Sequence, residues 1–427
     1  MNFVEELRWR GLLHDMMPGT EEELAKGMAA GYIGFDPTAD SLHVGSLLQI
    51  ITLMRFQKAG HKPFALVGGA TGMVGDPSGK SQERNLLSED ILNKNLKGIQ
   101  SQLEKFLDFN CGANSAEIVN NYDWFKSFTF LDFIRDVGKH ITVNYMMAKD
   151  SVKKRLESEV GMSFTEFSYQ LVQGYDFYYL WKHKNCVLQM GGSDQWGNIV
   201  TGTEFIRRKD GGQAFALTSP LIKKSDGTKF GKTEGGNVWL DATKTSPYQF
   251  YQFWLNASDD DAANFMRIFT FFDEQTINSM IEKHSEAPHQ RALQKELAQD
   301  LTKLVHGEKA LETALKTTDF LFGNGSLDFL TSLNSEEVLQ VFEGIPQFTI
   351  NRADYETGYD VLTLLADKTA IFPSKGEAKK MIAGGGVAIN KEKITDATTV
   401  YQISQLINNQ FLVAQKGKKN YFLINIQ

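Results

Sequence analysis

Between residues 28 and 80 the chain follows one order, strand, turn, helix, strand, glycine-rich loop, and that order leaves few folds open. Ala30–Phe35 reads as a short strand, and Asp36-Pro37-Thr38-Ala39-Asp40 as the turn after it. A helix is predicted from about His43 to Ala59, where Leu47, Leu48, Ile50, Ile51, Leu53 and Met54 give a broad apolar face. Pro63–Gly68 is the next strand, and the stretch Gly68–Lys80 follows it. Alternation of this kind predicts an α/β chain built on a doubly wound parallel sheet, with ligands beyond the carboxyl ends of the strands.

The rest of the chain reads more coarsely. Residues 85–182 look mainly helical, Val187–Met190 resumes the sheet, and Gly191–Asn198 is the loop after it. From 240 to about 320 the pattern is helical and aromatic (Tyr248, Phe250, Tyr251, Phe253, Trp254), and Gly323–Ser326 punctuates its end. The tail Asp360–Gln427 holds nine lysines and five acids, a balance of +4 on a chain whose net charge is −7. A basic module on an acidic body points towards a nucleic-acid partner, although a solvated lysine-rich surface has the same composition.

Composition narrows the setting. No apolar run approaches the ~18–20 residues that span a bilayer, so no membrane association is expected. The start carries acids and no apolar core of a signal peptide. Cys111 and Cys186 are too few for a disulfide framework, which fits a cytoplasmic protein. The histidines and cysteines offer no zinc spacing, and no bound metal is expected.

Five stretches carry candidate chemistry. His43, Gly45 and Ser46 fall at a predicted helix start, where unpaired N–H groups and the helix dipole favour anions, and Thr38 and His43 can donate to phosphate. Taken alone, the same stretch reads more simply as a helix capped by Ser41 with a surface histidine. Gly68–Ser81 resembles a phosphate loop but fails its spacing, because Val74 stands where the first glycine belongs. It is either a ligand loop, with Asp76 towards an ammonium and Lys80 and Arg84 towards phosphates, or a tight turn. Tyr169, Gln173 and Asp176, spaced by four and three, share one face of a helix with apolar neighbours. A buried phenol, amide and acid suit a small polar ligand or an internal hydrogen-bond network. Asp194, in Gly191–Asn198, sits where a strand-end acid accepts from ribose hydroxyls, or in an ordinary turn. Lys223–Thr233 is a glycine- and lysine-rich loop able to bring positive charge over a triphosphate, or a solvated basic loop.

Taken together, these stretches carry a resemblance. His43-Val44-Gly45-Ser46, followed by Lys229-Phe230-Gly231-Lys232-Thr233, resembles the two signatures of class I aminoacyl-tRNA synthetases. Tyr32–Leu42, Gly75–Lys80, Tyr175-Asp176-Phe177 and Gly192–Asn198 resemble the tyrosine-specific branch, over essentially the whole chain. That resemblance implies L-tyrosine, ATP with Mg2+ and tRNA(Tyr) as substrates, no tightly bound cofactor, and a homodimer. Tyr32 and Asp176 would hold the tyrosine hydroxyl, and Asp76, Tyr169 and Gln173 its ammonium, with Gln195 near its carboxyl group. Gly34, Asp36 and Gly192 would shape the wall, and Asp194 would take ribose hydroxyls. Gly45 and Ser46 would meet the nucleotide, while Thr38, His43, Lys80, Arg84, Lys229, Lys232 and Thr233 would stabilise the departing pyrophosphate.

The resemblance also sets an expected domain plan. Residues 1–236 would form a Rossmann-like catalytic domain whose insertion at about 125–160 includes the dimer interface. Residues 237–325 would be an α-helical anticodon-side domain, 326–352 a linker, and 353–427 a small α+β S4-like RNA-binding domain. Two departures stand out. Ser46 replaces the second signature histidine and has shorter reach, and Ile33 cannot hydrogen-bond a ribose. Tryptophan as the substrate, and an RNA-binding protein without catalysis, are the competing readings.

Overall fold

A computed structural model describes residues 1–76, 78, 87–157, 161–228, 230–233, 236–323, 325–342, 345–417 and 420–427, with the side chains of Lys154, Lys232 and Thr233 outside the description. The chain divides into two compact units: Met1–Asp241 with Ala257–Leu297, and Ala242–Asn256 with Ala298–Gln427.

The first unit is built on five parallel strands, β1 (Ala30–Phe35), β2 (Lys62–Val67), β3 (Glu117–Asn120), β4 (Cys186–Gly192) and β5 (Phe215–Ser219), in the order β3-β2-β1-β4-β5. Their apolar runs are continuous because parallel strands are covered on both faces. In β2 every residue after Lys62 is buried, and in β5 all five are. Four longer helices matter for the site: α1 (Val44–Lys58), α2 (Glu89–Phe106), α3 (Phe164–Lys184) and α4 (Trp196–Asp210). Leu47, Ile50, Ile51 and Leu53 of α1 are fully buried around most of its circumference, as expected of a helix inside a layered domain. Strand order reverses between β1 and β4, and the carboxyl ends of those strands open the crevice where such sheets take ligands.

Two strands differ from the expectation. β3 lies inside the stretch read as mainly helical. It is an edge strand of four residues, and only Val119 is deeply buried, so it lacks a clear apolar period. β5 has no signature in the sequence, because Phe-Ala-Leu-Thr-Ser is too short and mixed to tell a strand from a buried helical turn.

The second unit has its own sheet, in the order Glu392–Lys393, Val387–Ile389, Phe411–Lys416, Asn420–Ile426, Gln347–Ile350. The first four strands pair antiparallel, and Gln347–Ile350, within the stretch 326–352, adds a parallel edge strand. Alternation along Phe411–Ala414 buries both faces. Phe411 and Val413 join Phe320, Leu330 and Phe342, while Leu412 and Ala414 join Leu364, Phe372 and Ile382. The helix Lys375–Ala383 begins at Ser374, whose hydroxyl accepts from Glu377 N–H.

Candidate active site

The crevice at the reversal point is a cleft of about 590 Å³. One wall is the end of β1. Tyr32, 1% exposed, is paired in register with Phe64 on β2 and Gln189 on β4, which fixes its ring at the cleft floor. Gly34 is exposed to the cleft, and a Cβ there would meet only Leu66 Cδ2 at 3.8 Å, so the space before it is open. The opposite wall is α3. Its spacing brings Tyr169, Gln173 and Asp176 to the same cleft, with Tyr169 and Asp176 buried.

A chain of hydrogen bonds joins the two ends of this floor. Asp176 accepts from Trp124 Nε1 at 2.9 Å and from Asn121 Nδ2 at 3.0 Å. The same Asn121 nitrogen reaches Thr71 Oγ1 at 3.1 Å, and Asn121 Oδ1 accepts from Ala70 N–H at 2.7 Å. Thr71 donates to Asp36 Oδ1 at 2.7 Å, and Tyr169 donates its phenol hydrogen to Asp36 Oδ2 at 2.9 Å. Burial raises the Asp176 carboxyl to about 8 against the two donated bonds, with the nearby charge of Asp36 adding to the rise. Burial, and then the Asp176 and Asp36 charges respectively, push the Tyr32 and Tyr169 phenols well above their ordinary range.

Three buried polar atoms facing this floor have no hydrogen-bond partner among the described residues: Tyr32 OH, Gln173 Oε1 and Gln189 Oε1. Burial of such groups is costly unless a partner arrives, and native folds seldom retain them without a functional reason. The set, one hydroxyl and two carbonyl oxygens beside a carboxyl group, suits a ligand that carries a hydroxyl and further donors.

A second polar group closes the side formed after β4. Gln195 donates to Asp76 Oδ2 at 2.8 Å and to Asp194 Oδ2 at 3.1 Å, and Ser78 N–H donates to Asp76 Oδ1 at 2.9 Å. Gly192 serves this arrangement, because a Cβ there would lie 2.6 Å from Asp194 Oδ1.

The mouth is the start of α1. His43 caps the helix, its Nδ1 accepting from Gly45 N–H at 2.9 Å. Accepting at Nδ1 puts the proton of the neutral ring on Nε2, which makes that nitrogen a donor. Gly45 is required by this cap, since a Cβ there would stand 2.6 Å from His43 Cε1 and 2.8 Å from Nδ1. Thr38 and Ser46 line the same mouth, and Ser46 N–H donates to His43 O at 2.8 Å. The segment beyond residue 230 returns here: Val44 N–H donates to Val238 O and Leu240 N–H to Leu42 O, each at 2.9 Å, and Val238 N–H donates to Gly231 O. His43 and Trp239 rings meet edge to face at 6.1 Å.

Of the residues expected at the site, Tyr32, Gly34, Asp36, Thr38, His43, Gly45, Ser46, Asp76, Tyr169, Gln173, Asp176, Gly192, Asp194 and Gln195 all line this cleft. Lys80, Arg84 and Lys229 lie outside the described residues, as do the side chains of Lys232 and Thr233, whose backbone pairs with Gly236–Asn237. Sequence reasoning missed Thr71, Asn121, Trp124, Gln49, Gln189 and Trp239. Asn121 and Trp124 follow β3, the strand that was itself missed. Gln189 sits mid-strand, where only the pairing register reveals the direction of its side chain. Gln49 lines the mouth one turn after Ser46, with its amide donating to Ser219 Oγ at 3.1 Å. Among the described residues no group of three His, Cys, Asp or Glu is placed to hold a metal ion, and no helix is long and apolar enough to cross a membrane.

Comparison with known proteins gives a consistent set. The model of the tRNA synthetases class I (W and Y) matches residues 25–323, and that of the tyrosine–tRNA ligase SYY-like C-terminal domain matches residues 337–424. The tyrosine–tRNA ligase of Flavobacterium psychrophilum is 59% identical over 430 residues, covering 100% of each chain. That of Porphyromonas gingivalis is 58% identical with the same coverage. Among solved structures, a C-terminally truncated mitochondrial tyrosyl-tRNA synthetase of Aspergillus nidulans superposes with a TM-score of 0.69 at 29% identity, over 75% of this chain and 94% of its own. The reversal-point cleft, the capped mouth of α1 and these matches lead to one conclusion: the chain belongs to the class I tRNA synthetases of the tryptophan and tyrosine group.

Proposed function

We infer that the chain is a tyrosine–tRNA ligase, which activates L-tyrosine with ATP and transfers the tyrosyl group to the 3′ end of tRNA(Tyr). One observation carries the choice of amino acid: the unsatisfied phenol oxygen of Tyr32 and the carboxyl group of Asp176 both line the buried part of the cleft. A substrate hydroxyl between them would give each a partner. Phenylalanine would leave the Tyr32 hydroxyl unsatisfied, at a cost of about 1–3 kcal/mol for that buried group, and would bring Asp176 no partner beyond Trp124 and Asn121.

In this reading the ring lies against Gly34, and the ammonium faces Asp76, Tyr169 and Gln173. Gln195 attends the carboxylate. That carboxylate attacks the α-phosphorus of ATP; the new C–O–P bond forms as the bond to the pyrophosphate oxygen breaks, and the electron pair leaves with pyrophosphate. The attacking group is already ionised, so no general base is needed and catalysis is positioning plus charge stabilisation. Thr38, His43 through Nε2–H, Lys80, Arg84, Lys229, Lys232 and Thr233 would stabilise the leaving phosphates. Asp194 would accept from the ribose, and Gly45 and Ser46 would border the nucleotide. Mg2+ would arrive with ATP as part of the substrate. A tRNA ribose hydroxyl then takes the tyrosyl group and releases AMP.

The helical stretch 237–325 would serve the anticodon side and 353–427 would bind RNA, consistent with the lysine excess of the tail. The chain would work as a cytoplasmic homodimer through the region 125–160, where Phe130, Leu131, Ile134, Val143 and Met147 are exposed. Pyrophosphate exchange with tyrosine, tryptophan and phenylalanine tests the assignment. Exchange with tyrosine alone supports it, tryptophan-dependent exchange replaces the substrate, and silence with every amino acid leaves an RNA-binding protein.

A further inference from the structure

One helix, Asp259–Phe269, grips the segment 223–233 at two points. Ser225 N–H donates to Asp261 Oδ1 at 2.7 Å, and the Ser225 and Ser258 hydroxyls lie 3.2 Å apart. Five residues on, the Phe230 ring meets Phe265 edge-on at 5.0 Å and stacks on Phe269 at 5.4 Å. Asp261, Phe265 and Phe269 are spaced by four, so the three contacts share one face of the helix. The two grips bracket Lys229 in sequence, with four residues between Ser225 and Phe230.

The far end of this helix is held as firmly. Arg55, on α1 and 1% exposed, donates to Ile268 O at 2.9 Å and Thr270 O at 2.8 Å. Arg10 donates to Arg267 O at 2.8 Å, Thr270 O at 3.1 Å and Phe272 O at 2.8 Å. Carbonyls at a helix C-terminus have no partner within the helix and carry its negative dipole end, so two guanidinium groups suit them. Glu6 lies 2.9 Å from Arg10 and 3.3 Å from Arg55 and offsets their mutual repulsion. The helix that begins at the cleft mouth and the lysine-bearing segment therefore share one support.

We propose that Asp261 and Phe265 are positioning residues for adenylate formation: they fix where the segment 223–233 stands relative to the start of α1. The proposal rests on the reading that Lys229 and Lys232 face the phosphates. Neither anchor touches the tyrosine floor, so their loss acts on the chemical step and spares amino-acid binding. Misplacement of a catalytic group by an ångström is enough to slow a reaction severely.

The test uses Asp261→Ala, Phe265→Leu and Lys232→Ala in the full-length chain. Tyrosine affinity is measured by equilibrium dialysis without ATP, and adenylate formation in a single turnover at saturating tyrosine and ATP. Asp261→Ala and Phe265→Leu are each expected to slow adenylate formation on the order of tenfold, with the tyrosine Kd within about twofold of the parent. Asp261→Asn keeps an acceptor oxygen for Ser225 and is expected to restore most of the rate. Slow Lys232→Ala beside parent-rate Asp261→Ala and Phe265→Leu overturns the anchoring role alone. Parent-rate Lys232→Ala overturns the phosphate reading and the anchoring with it. A parallel loss of tyrosine affinity and rate reveals general loosening of the unit and also overturns the proposal.

Discussion

Asn121 holds Asp176 by a 3.0 Å hydrogen bond and, through the same amide nitrogen, reaches Thr71 at 3.1 Å, so one side chain ties the two acid-bearing ends of the cleft together. Asn121 is fully buried. Among the described residues, its removal leaves Asp176 with Trp124 as the remaining hydrogen-bond donor. Leaving a buried polar group without a hydrogen-bond partner costs about 1–3 kcal/mol. Asn121→Ala is therefore expected to lower kcat/KM for tyrosine in pyrophosphate exchange by about tenfold to a hundredfold. It should lower that for phenylalanine less, since phenylalanine brings no hydroxyl to this end. Equal losses for both amino acids would show that Asn121 acts only on packing.

Gly45 and Gly34 are both glycines of the cleft, yet their reasons differ. A methyl group at 45 runs into the His43 ring, while one at 34 enters open space. Gly45→Ala is expected to displace His43 and slow adenylate formation on the order of a hundredfold, close to the effect of His43→Ala. Gly34→Ala is expected to leave thermal stability unchanged and to raise KM for tyrosine, because within the protein the added methyl meets only Leu66, at an ordinary 3.8 Å, and otherwise enters the space of the ligand. The double variant of Gly45→Ala with His43→Ala checks the first claim: if the two act through one ring, their effects do not add.

How far the sequence reaches is visible in these residues. Tyr169, Gln173 and Asp176 were legible because helical spacing alone brings them to one face. His43 and Gly45 were legible because strand, turn and helix follow at short range. Asn121, Trp124 and Gln189 were not, since their roles depend on which strands lie side by side, and β3 has no apolar period to announce it. Gly45 is legible only as part of a helix start expected to meet the nucleotide; contact with His43 by itself requires glycine there, and only atomic positions reveal it.

Burial raises the Asp176 carboxyl to about 8, which links folding to pH. Between the ordinary carboxylate value near 4 and about 8, the folded protein holds a proton that the unfolded chain has released. Raising pH through that window therefore destabilises the native state, by up to about 1.4 kcal/mol for each pH unit, and the effect levels off above it. Asp176→Asn removes this titration. Denaturant unfolding of the ligand-free protein from pH 5 to pH 9 is expected to show the variant gaining stability relative to the parent as pH rises to about 8. A constant difference across that range would contradict the assignment.

The helix Phe130–Asp136 has no buried residue, yet it carries Phe130 at 65%, Leu131 at 75% and Ile134 at 46% exposure. Phe130 and Phe133 of this helix line an apolar hollow of about 310 Å³ with Phe125, Phe128, Met73 and Val74, next to the glycine-rich loop that leads to Asp76. Apolar surface gains about 25 cal/mol per Å² when covered, so a second copy seated here would stabilise both chains. Contact at this hollow would also brace the start of the loop that carries Asp76, which connects assembly to catalysis. Phe130→Asp with Leu131→Asp places charge on the patch without touching a buried side chain. The double variant is expected to elute at monomer size where the parent elutes as a dimer, with unchanged far-ultraviolet circular dichroism and a lower rate of adenylate formation. Monomeric elution of the parent would remove the second copy from this surface, and a dimeric double variant would move the contact elsewhere.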